Sequence, residues 1–344
     1  MALIRAVPAL FFLAVSTYAG LRLCRMLLPR LDGERTPAVS RAVAPWVIAA
    51  PAAFLAGTLL VTWATYLTAS ALRNSSSPMM FANIIVMSVI TVALIAGRVR
   101  VRTNEAIDTS SEVIDGHRRR WVDFTVAATG LILGSVIMFH TCRIEGNTLI
   151  LGRTAFGDLN IHLGMARSFS WGDNFPTGYM AYAGSDIRYH FMFYFLVGNL
   201  EFLGLPLDWA INLPSILAFT AVLLLLHAAG SVVGRDPRVG VLTVLFFLMR
   251  SSPAAFVYFA RLPGSLSDKL GELLRTNKFI GLTTHESWGI WNLNTYAVER
   301  HFGFAFGLVL IALLYLVRLS GLDSGPPLLR SHPGKLRTRE SSPS

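Results

Sequence analysis

Residues 211–233 read INLPSILAFTAVLLLLHAAGSVV, a block with one imidazole and no formally charged side chain. As an α-helix, this block is long enough to cross a hydrocarbon core of roughly 30 Å. Similar apolar blocks recur along the chain. Because backbone polar groups in lipid must be satisfied within their own segment, such blocks are predicted to be helices. The predicted fold class is all-α, a polytopic transmembrane helical bundle of about seven spans plus an interfacial helix.

The overall composition also excludes an ordinary soluble domain. Of the 344 residues, 53% are hydrophobic and 15% charged, and the mean hydropathy is +0.53, whereas charged residues make up about a quarter of soluble domains. The formal net charge is +10. The arginines cluster between the apolar blocks, which indicates topology signals and contact with anionic membrane lipids, and no nucleic-acid partner. Cys24 and Cys142 lie near opposite ends of different spans, so neither a disulfide nor a metal motif is expected.

The apolar blocks and the arginines between them predict the topology. The predicted spans are residues 7–28, 45–72, 79–97, 121–141, 211–233, 239–259 and 302–319. Arginine-rich segments follow the first and third spans and are assigned to the cytoplasm. This assignment places the N-terminus outside a plasma (inner) membrane and the C-terminus in the cytoplasm. It also brings the loops 142–190 and 260–301 to the same external face.

Residues 191–205 are apolar but too few for an ordinary span, so they are predicted to form the interfacial helix. If they crossed the membrane, every later basic cluster would fall on the external side, against the positive-inside rule. The chain is accordingly divided into N-terminal membrane helices with basic loops (1–120), a membrane module carrying the two external loops (121–320), and a disordered basic cytoplasmic tail (321–344).

The first external loop contains Asp158 and His162, which are four residues apart and share one face of a predicted helix. This spacing suits a divalent metal such as Mg²⁺ or Mn²⁺, or a general base with its orienting partner. A structural interpretation fits the spacing somewhat better: Asp158 as the N-cap of the helix, with His162 facing lipid headgroups.

The same loop carries further candidate binding residues. Asp173 and Asn174 are candidates for a sugar hydroxyl, although Asp and Asn in turns usually serve the backbone. Asp186, Arg188 and His190 precede the interfacial segment, and a guanidinium such as that of Arg188 suits a phosphate. A surface ion pair between Asp186 and Arg188 explains these two residues equally well.

The second external loop ends with Arg300 and His301, directly before the last predicted span. A basic pair next to the positive end of a helix dipole is typical of an anion site. A few external arginines in a long loop are also compatible with the positive-inside rule.

Together these segments resemble the glycosyltransferase C (GT-C) superfamily of polytopic enzymes, which use lipid-phosphate sugars and carry an essential acidic residue in the first large external loop. The resemblance covers roughly residues 121–319 and is closest to bacterial integral-membrane members. It rests on four motifs: Phe156-Gly157-Asp158, the GDNFP turn at 172–176, Y-x-G-x-x-x-R-Y-H at 182–190 and N-x-x-x-x-x-R-H at 294–301.

By this resemblance, Asp158 is implied to be the catalytic base or a metal ligand, and Arg188, His190, Arg300 and His301 are implied to bind the donor phosphate. The predicted function is inverting transfer of a sugar from a polyprenyl-phosphate donor to an acceptor at the external membrane face, with Mg²⁺ or Mn²⁺ as the cofactor if there is one. The expected partners are the lipid-linked donor and membrane lipids. The chain continues for less length than such enzymes usually do, which indicates a shortened member.

Two other functions fit the sequence less well. A transporter or flippase of a lipid-linked or anionic solute should carry ionisable residues near the bilayer midplane, whereas the charges here crowd into the loops. A non-catalytic fragment is the other alternative, favoured by the short C-terminal part.

Overall fold

The computed structural model describes residues 2–27, 43–100, 115–152, 155–249, 254–276, 280 and 292–319. The predicted tail 321–344 and most of the tryptophan-rich part of the second external loop lie outside these ranges. The helices are α1 (Ala2–Arg5), α2 (Val7–Leu27), α3 (Trp46–Ala71), α4 (Pro78–Arg100), α5 (Asp115–Thr141), α6 (Phe156–Ser170), α7 (Met192–Phe202), α8 (Leu207–Gly234), α9 (Pro237–Leu248), α10 (Ala254–Arg261), α11 (Leu266–Arg275), α12 (Asn292–Val298) and α13 (Phe302–Leu319). Two short strands, β1 (Cys142–Glu145) and β2 (Thr148–Leu151), complete the described elements.

Several of these helices confirm the prediction of a mainly helical protein with membrane spans. By length and composition, five are able to cross a membrane, and they are Val7–Met26 in α2, Trp46–Ala71, Pro78–Ala96 in α4, Trp121–Thr141 in α5 and Leu207–Gly234. The apolar helices Met192–Phe202, Pro237–Leu248 and Phe302–Val317 are shorter. The structure therefore supports a bundle with five candidate spans, and the expected number of seven is not confirmed.

The span expected at 239–259, with a break near its end at residues 250–253, is not one continuous helix. Helix α9 ends at Leu248 and α10 begins at Ala254, on either side of residues 250–253, which lie outside the described ranges. The 12 residues of α9 rise only about 18 Å at 1.5 Å per residue, well short of the hydrocarbon core. The sequence contains the physical reason, since Pro253 has no amide hydrogen to donate within a helix.

Helix α7 falls within the segment predicted to be interfacial, and its 11 residues are too few to span. Its central residues 193–200 are nevertheless buried, because α7 packs against α6, α8 and α3. The amide of Asn199 in α7 exchanges two hydrogen bonds with that of Asn83 in α4. The central part of the helix is therefore packed against protein.

The strands β1 and β2 form an antiparallel hairpin directly after α5, where the sequence predicted only a loop. Glu145 pairs with Thr148 across the turn, and Gly146 adopts a φ of 60°. A left-handed residue of this kind is what a tight two-residue hairpin requires, and glycine provides it without strain.

The bundle has two ends that can be defined by their contacts. One end, which we call the basic end, contains Asp123 and His227. The buried carboxylate of Asp123 in α5 accepts the amide hydrogen of Ala44, which precedes α3, at 2.9 Å. Its other oxygen lies 3.0 Å from Nε2 of His227 in α8. The opposite end, called the site end, carries Thr141 at the end of α5 and Phe302 at the start of α13.

Asp123→Ala is expected to destabilise the protein by roughly 3–5 kcal/mol, because it strips a buried imidazole and a buried backbone amide of their partner. Thermal unfolding of the purified protein in detergent measures this change. Glu145→Ala is the matched control, since the Arg143–Glu145 pair is exposed at the hairpin and such pairs contribute about 0–1 kcal/mol. Equal effects of the two variants would contradict a structural role for the buried pair.

Candidate functional site

The site end is held together by the guanidinium of Arg300, which is 1% exposed. Its Nε donates to the carbonyl of Ala297 at 2.8 Å. Its Nη2 donates to Oγ1 of Thr141 at 2.7 Å and to the carbonyl of Met138 at 3.3 Å. Its Nη1 donates to Oδ1 of Asn212 at 3.2 Å. Arg300 thus links the segment before α13 to the end of α5 and the start of α8.

Arg300 therefore occupies different surroundings from those expected of a donor-phosphate ligand. Its side chain lines neither of the two cavities described below. Within the described part of the chain, its hydrogen-bond partners are uncharged, and a buried charge requires such partners. The residues before and after it, Glu299 and His301, are partly exposed and face the site.

Around these two residues lies a cluster that we call the histidine cluster, consisting of His162, His190, Glu299 and His301. The ring centroids of His190 and His301 are 3.7 Å apart. Oε2 of Glu299 lies 3.5 Å from Nδ1 of His301 and 4.0 Å from Nε2 of His162. The segments 142–190 and 260–301, both predicted to be external, therefore meet at one place, since His162 and His190 come from the first and the other two from the second.

Two tyrosines line the cluster and orient its rings. The ring of His162 stacks on that of Tyr194 in α7 at a centroid distance of 4.3 Å. The hydroxyl of Tyr194 is 3.1 Å from Nδ1 of His301. The hydroxyl of Tyr189 is 3.4 Å from Nε2 of His162. These contacts make the rings of the cluster part of a packed layer between α6, α7 and the start of α13.

Burial decides the protonation of the cluster. It lowers the pKa of His162 to about 4, an effect that the nearby Asp158 carboxylate opposes. It lowers the pKa of His301 to about 3, assisted by the neighbouring imidazoles of His190 and His162. It also lowers the pKa of His190, and it raises that of Glu299, with a further contribution from Asp158. At neutral pH the three imidazoles are therefore uncharged, and neutral imidazole is the form that accepts hydrogen bonds and ligates metals.

A polar cavity of about 320 Å³ adjoins the cluster on the α6 side. The charged side chains at its wall are those of Asp158, Asp186 and Arg188, beside His162 and Tyr189. These charged side chains are exposed, so they are accessible to a soluble ligand. Among the described ion pairs there is none between Asp186 and Arg188.

Asp158 reaches this cavity because helix α6 begins earlier than expected. The helix starts at Phe156 with Ala155 as its N-cap, so Asp158 lies in the first turn and is not the capping residue. The carboxylate is exposed there, whereas His162 one turn later is 3% exposed. The first turn of a helix favours a negative charge through the helix dipole, and the position leaves the carboxylate available to a ligand.

An apolar groove of about 230 Å³ adjoins the cluster on the side of α3 and α13. It runs between α3, α7 and α13, and His190 and His301 also line it. Its other lining residues are mainly hydrocarbon side chains, with two threonines from α3: Thr58, Leu59, Thr62, Met192, Phe193, Leu196, Phe304, Ala305 and Leu308. The groove and the polar cavity therefore lie on two sides of one histidine cluster.

Asp173 and Asn174 lie outside both cavities. The amide of Asn174 donates to Oγ of Ser168 at 3.0 Å and to the carbonyl of Gly178 at 2.8 Å, and its oxygen accepts the amide hydrogen of Gly178. Asp173 is exposed and has a φ of 44°. These contacts give the two residues the backbone role that Asp and Asn often have in turns.

Sequence reasoning did not select Glu299, a member of the cluster, or Tyr189 and Tyr194, which line it. Glu299 could have been found from its place directly before Arg300 and His301, and Tyr189 from its place between Arg188 and His190. Tyr194 had no local signal, because an aromatic residue in an apolar helix is typical of packing. Asp158 and His162, the metal pair expected from the sequence, line the same polar cavity. Among the described residues, the donor atoms of His190, Glu299 and His301 form a further group within 4.8 Å of one another, which the sequence did not predict.

Comparisons with protein families, curated proteins and solved structures found no match. The resemblance to the GT-C superfamily therefore stays a prediction from the motifs.

Arg300→Ala is expected to lower the stability of the protein by roughly 2–5 kcal/mol, since it removes a large buried side chain and several hydrogen bonds at once. Thermal unfolding in detergent measures the loss. Arg188→Ala removes an exposed guanidinium from the same end of the bundle and should stay within about 0.5 kcal/mol of the native protein. Unchanged stability of Arg300→Ala would contradict the role of Arg300 in joining the segments.

Proposed function

We propose that this chain is a membrane glycosyltransferase that transfers a sugar from a polyprenyl-phosphate donor to an acceptor at the site end of the bundle. One observation carries the proposal. A polar cavity containing Asp158 and an apolar groove between membrane helices adjoin the same histidine cluster. A ligand that fits both at once has a hydrocarbon tail joined to a polar headgroup.

The groove suits the tail of such a donor. Its walls come from α3, α7 and α13 and are mostly Leu, Met and Phe side chains. An isoprenoid chain buried there gains about 25 cal/mol for each Å² of apolar surface removed from water. The phosphate of the donor then falls beside His190 and His301, and its sugar falls in the polar cavity.

The polar cavity suits the transfer step. The Asp158 carboxylate removes the proton of an acceptor hydroxyl while that oxygen bonds to the anomeric carbon of the donor sugar. The bond between the anomeric carbon and the phosphate oxygen breaks, and its electron pair leaves with the polyprenyl phosphate. Attack opposite the leaving group inverts the anomeric configuration. Arg188 lies in the wall of the same cavity and offers a cation for the developing phosphate charge.

The placement of the charges favours an enzyme over a transporter. The charged side chains of the polar cavity are exposed and lie in a segment predicted to be external. The buried ionisable pair inside the helices, Asp123 with His227, lies at the opposite end and is engaged in holding α3, α5 and α8 together. A transport route is expected to carry its ionisable groups near the midplane.

Asp158→Asn is expected to reduce sugar transfer by about 10²-fold or more, because the amide cannot accept the proton. The assay measures transfer from radiolabelled polyprenyl-phosphate sugars in membranes that contain the variant at native levels. The matched control is Asp268→Asn, since Asp268 is the exposed N3 residue in the capping box of α11 and the amide oxygen of asparagine can still accept the backbone hydrogen of Ser265.

Retained transfer in Asp158→Asn would exclude that residue as the base. Absence of transfer by the native chain, combined with uptake of a labelled solute into proteoliposomes that Asp158→Asn does not change, would replace the enzyme with a transporter.

A further inference from the structure

The donor atoms of His190, Glu299 and His301 all lie within 4.8 Å of one another. His190 belongs to the first of the segments predicted to be external, and Glu299 and His301 belong to the second. Glu299 and His301 are separated by one residue in the chain. The burial of Arg300 between them turns both neighbours towards His190. The arrangement is therefore fixed by the tertiary fold and not by a local sequence motif.

The hydrogen bonds around this group are incomplete. Nδ1 of His301 is 3.1 Å from the hydroxyl of Tyr194 and 3.5 Å from Oε2 of Glu299. A ring nitrogen that bonds to the tyrosine cannot also satisfy the carboxylate. Oε2 of Glu299 accordingly has no hydrogen-bond partner in the described part of the chain, although it is buried. A carboxylate oxygen in this position lacks the compensation that a buried charge needs.

We propose that His190, Glu299 and His301 bind one divalent cation of the zinc class. Two imidazole nitrogens and one carboxylate oxygen are a donor set found in zinc sites with three protein ligands, which keep a fourth position open. Mg²⁺ prefers six oxygen ligands in an octahedron and fits this set poorly. The proposed ion thus differs in both ligands and class from the magnesium or manganese ion expected at Asp158 and His162.

The surrounding residues supply the support that such a site requires. The hydroxyl of Tyr189 lies 3.4 Å from Nε2 of His162, and that nitrogen lies 4.0 Å from the carboxylate of Glu299. Second-shell partners of this kind fix the orientation of ligands and raise metal affinity. His190 and His301 also line the apolar groove, so a cation held by them would lie beside the groove.

A cation at this place would face the phosphate of the donor lipid and neutralise its charge as the sugar leaves. That role rests on the proposed transferase function, whereas the metal site itself does not. The test therefore measures metal binding directly and separately from transfer.

The experiment uses the full chain, purified in detergent, freed of any affinity tag, stripped with a chelator and titrated with Zn²⁺ or Co²⁺. About one equivalent of metal per chain is expected by elemental analysis, as for one site with three protein ligands. Co²⁺ should give the visible absorption of a four-coordinate site. Metal affinity should fall at least about 10-fold in each of His190→Ala, Glu299→Gln and His301→Ala, because the loss of an outer-shell partner alone already has an effect of that size.

Two controls locate the site. His140→Ala removes an exposed imidazole of α5 outside the cluster and should leave binding unchanged. Asp158→Asn should also keep the metal while transfer is lost, which separates this site from one at Asp158 and His162. Glu299→Gln is nearly isosteric, so a native elution profile and unfolding temperature for this variant exclude misfolding as the cause of weaker binding.

The proposal is overturned if the native chain binds no Zn²⁺ or Co²⁺, or if the bound metal is unaffected by all three cluster variants. Loss of binding in Asp158→Asn but not in Glu299→Gln would also overturn it. Metal binding without any transfer would leave the site intact and remove the transferase function. Transfer by a chain that binds no metal would leave the transferase function intact and remove the metal site.

Discussion

The site end depends on one buried guanidinium. Arg300 is enclosed among the last turn of α5, the first turns of α8 and the carbonyl of Ala297. A charge in such surroundings is tolerated only when nearly all its donors have partners. The segment before α13 therefore has little freedom to shift, because any shift would break several of these bonds at once.

This anchor determines the placement of its neighbours. With Arg300 directed into the bundle, Glu299 and His301 are directed towards α6 and α7, where His162, His190 and Tyr194 meet them. The charged cavity at α6 and the hydrocarbon groove between α3, α7 and α13 then adjoin one cluster. An amphiphilic ligand is the kind of molecule that such a pair of cavities accommodates, and a divalent cation is the kind of ion that the cluster accommodates.

Much of the fold could be predicted because the length of an apolar run is visible in consecutive residues of the sequence. The expected spans at 45–72, 79–97 and 121–141 correspond closely to α3, α4 and α5, and the shortness of α7 was also expected. The break near the end of the 239–259 segment was also predictable from Pro253. The two-residue turn at Gly146 was harder, since hairpin pairing depends on one or two residues.

The site was only partly predictable. Asp158, Arg188 and His190 were selected because charged residues in a loop between apolar spans are conspicuous. Arg300 was selected for the same reason, yet its partners Thr141 and Asn212 lie 159 and 88 residues away in the chain, and no local pattern indicates that it is buried. Glu299 was overlooked because its importance arises only from that burial.

The most direct test of the central claim is whether the segments 142–190 and 260–301, predicted to be external, meet in a native membrane. In a chain lacking Cys24 and Cys142, the paired substitutions His190→Cys and His301→Cys would be treated with a short bifunctional thiol reagent. We expect efficient intramolecular crosslinking, since the two rings are 3.7 Å apart, and none for His190→Cys paired with Val233→Cys at the basic end. Failure of the first pair to crosslink, with both thiols labelled only from opposite sides of the membrane, would contradict the account.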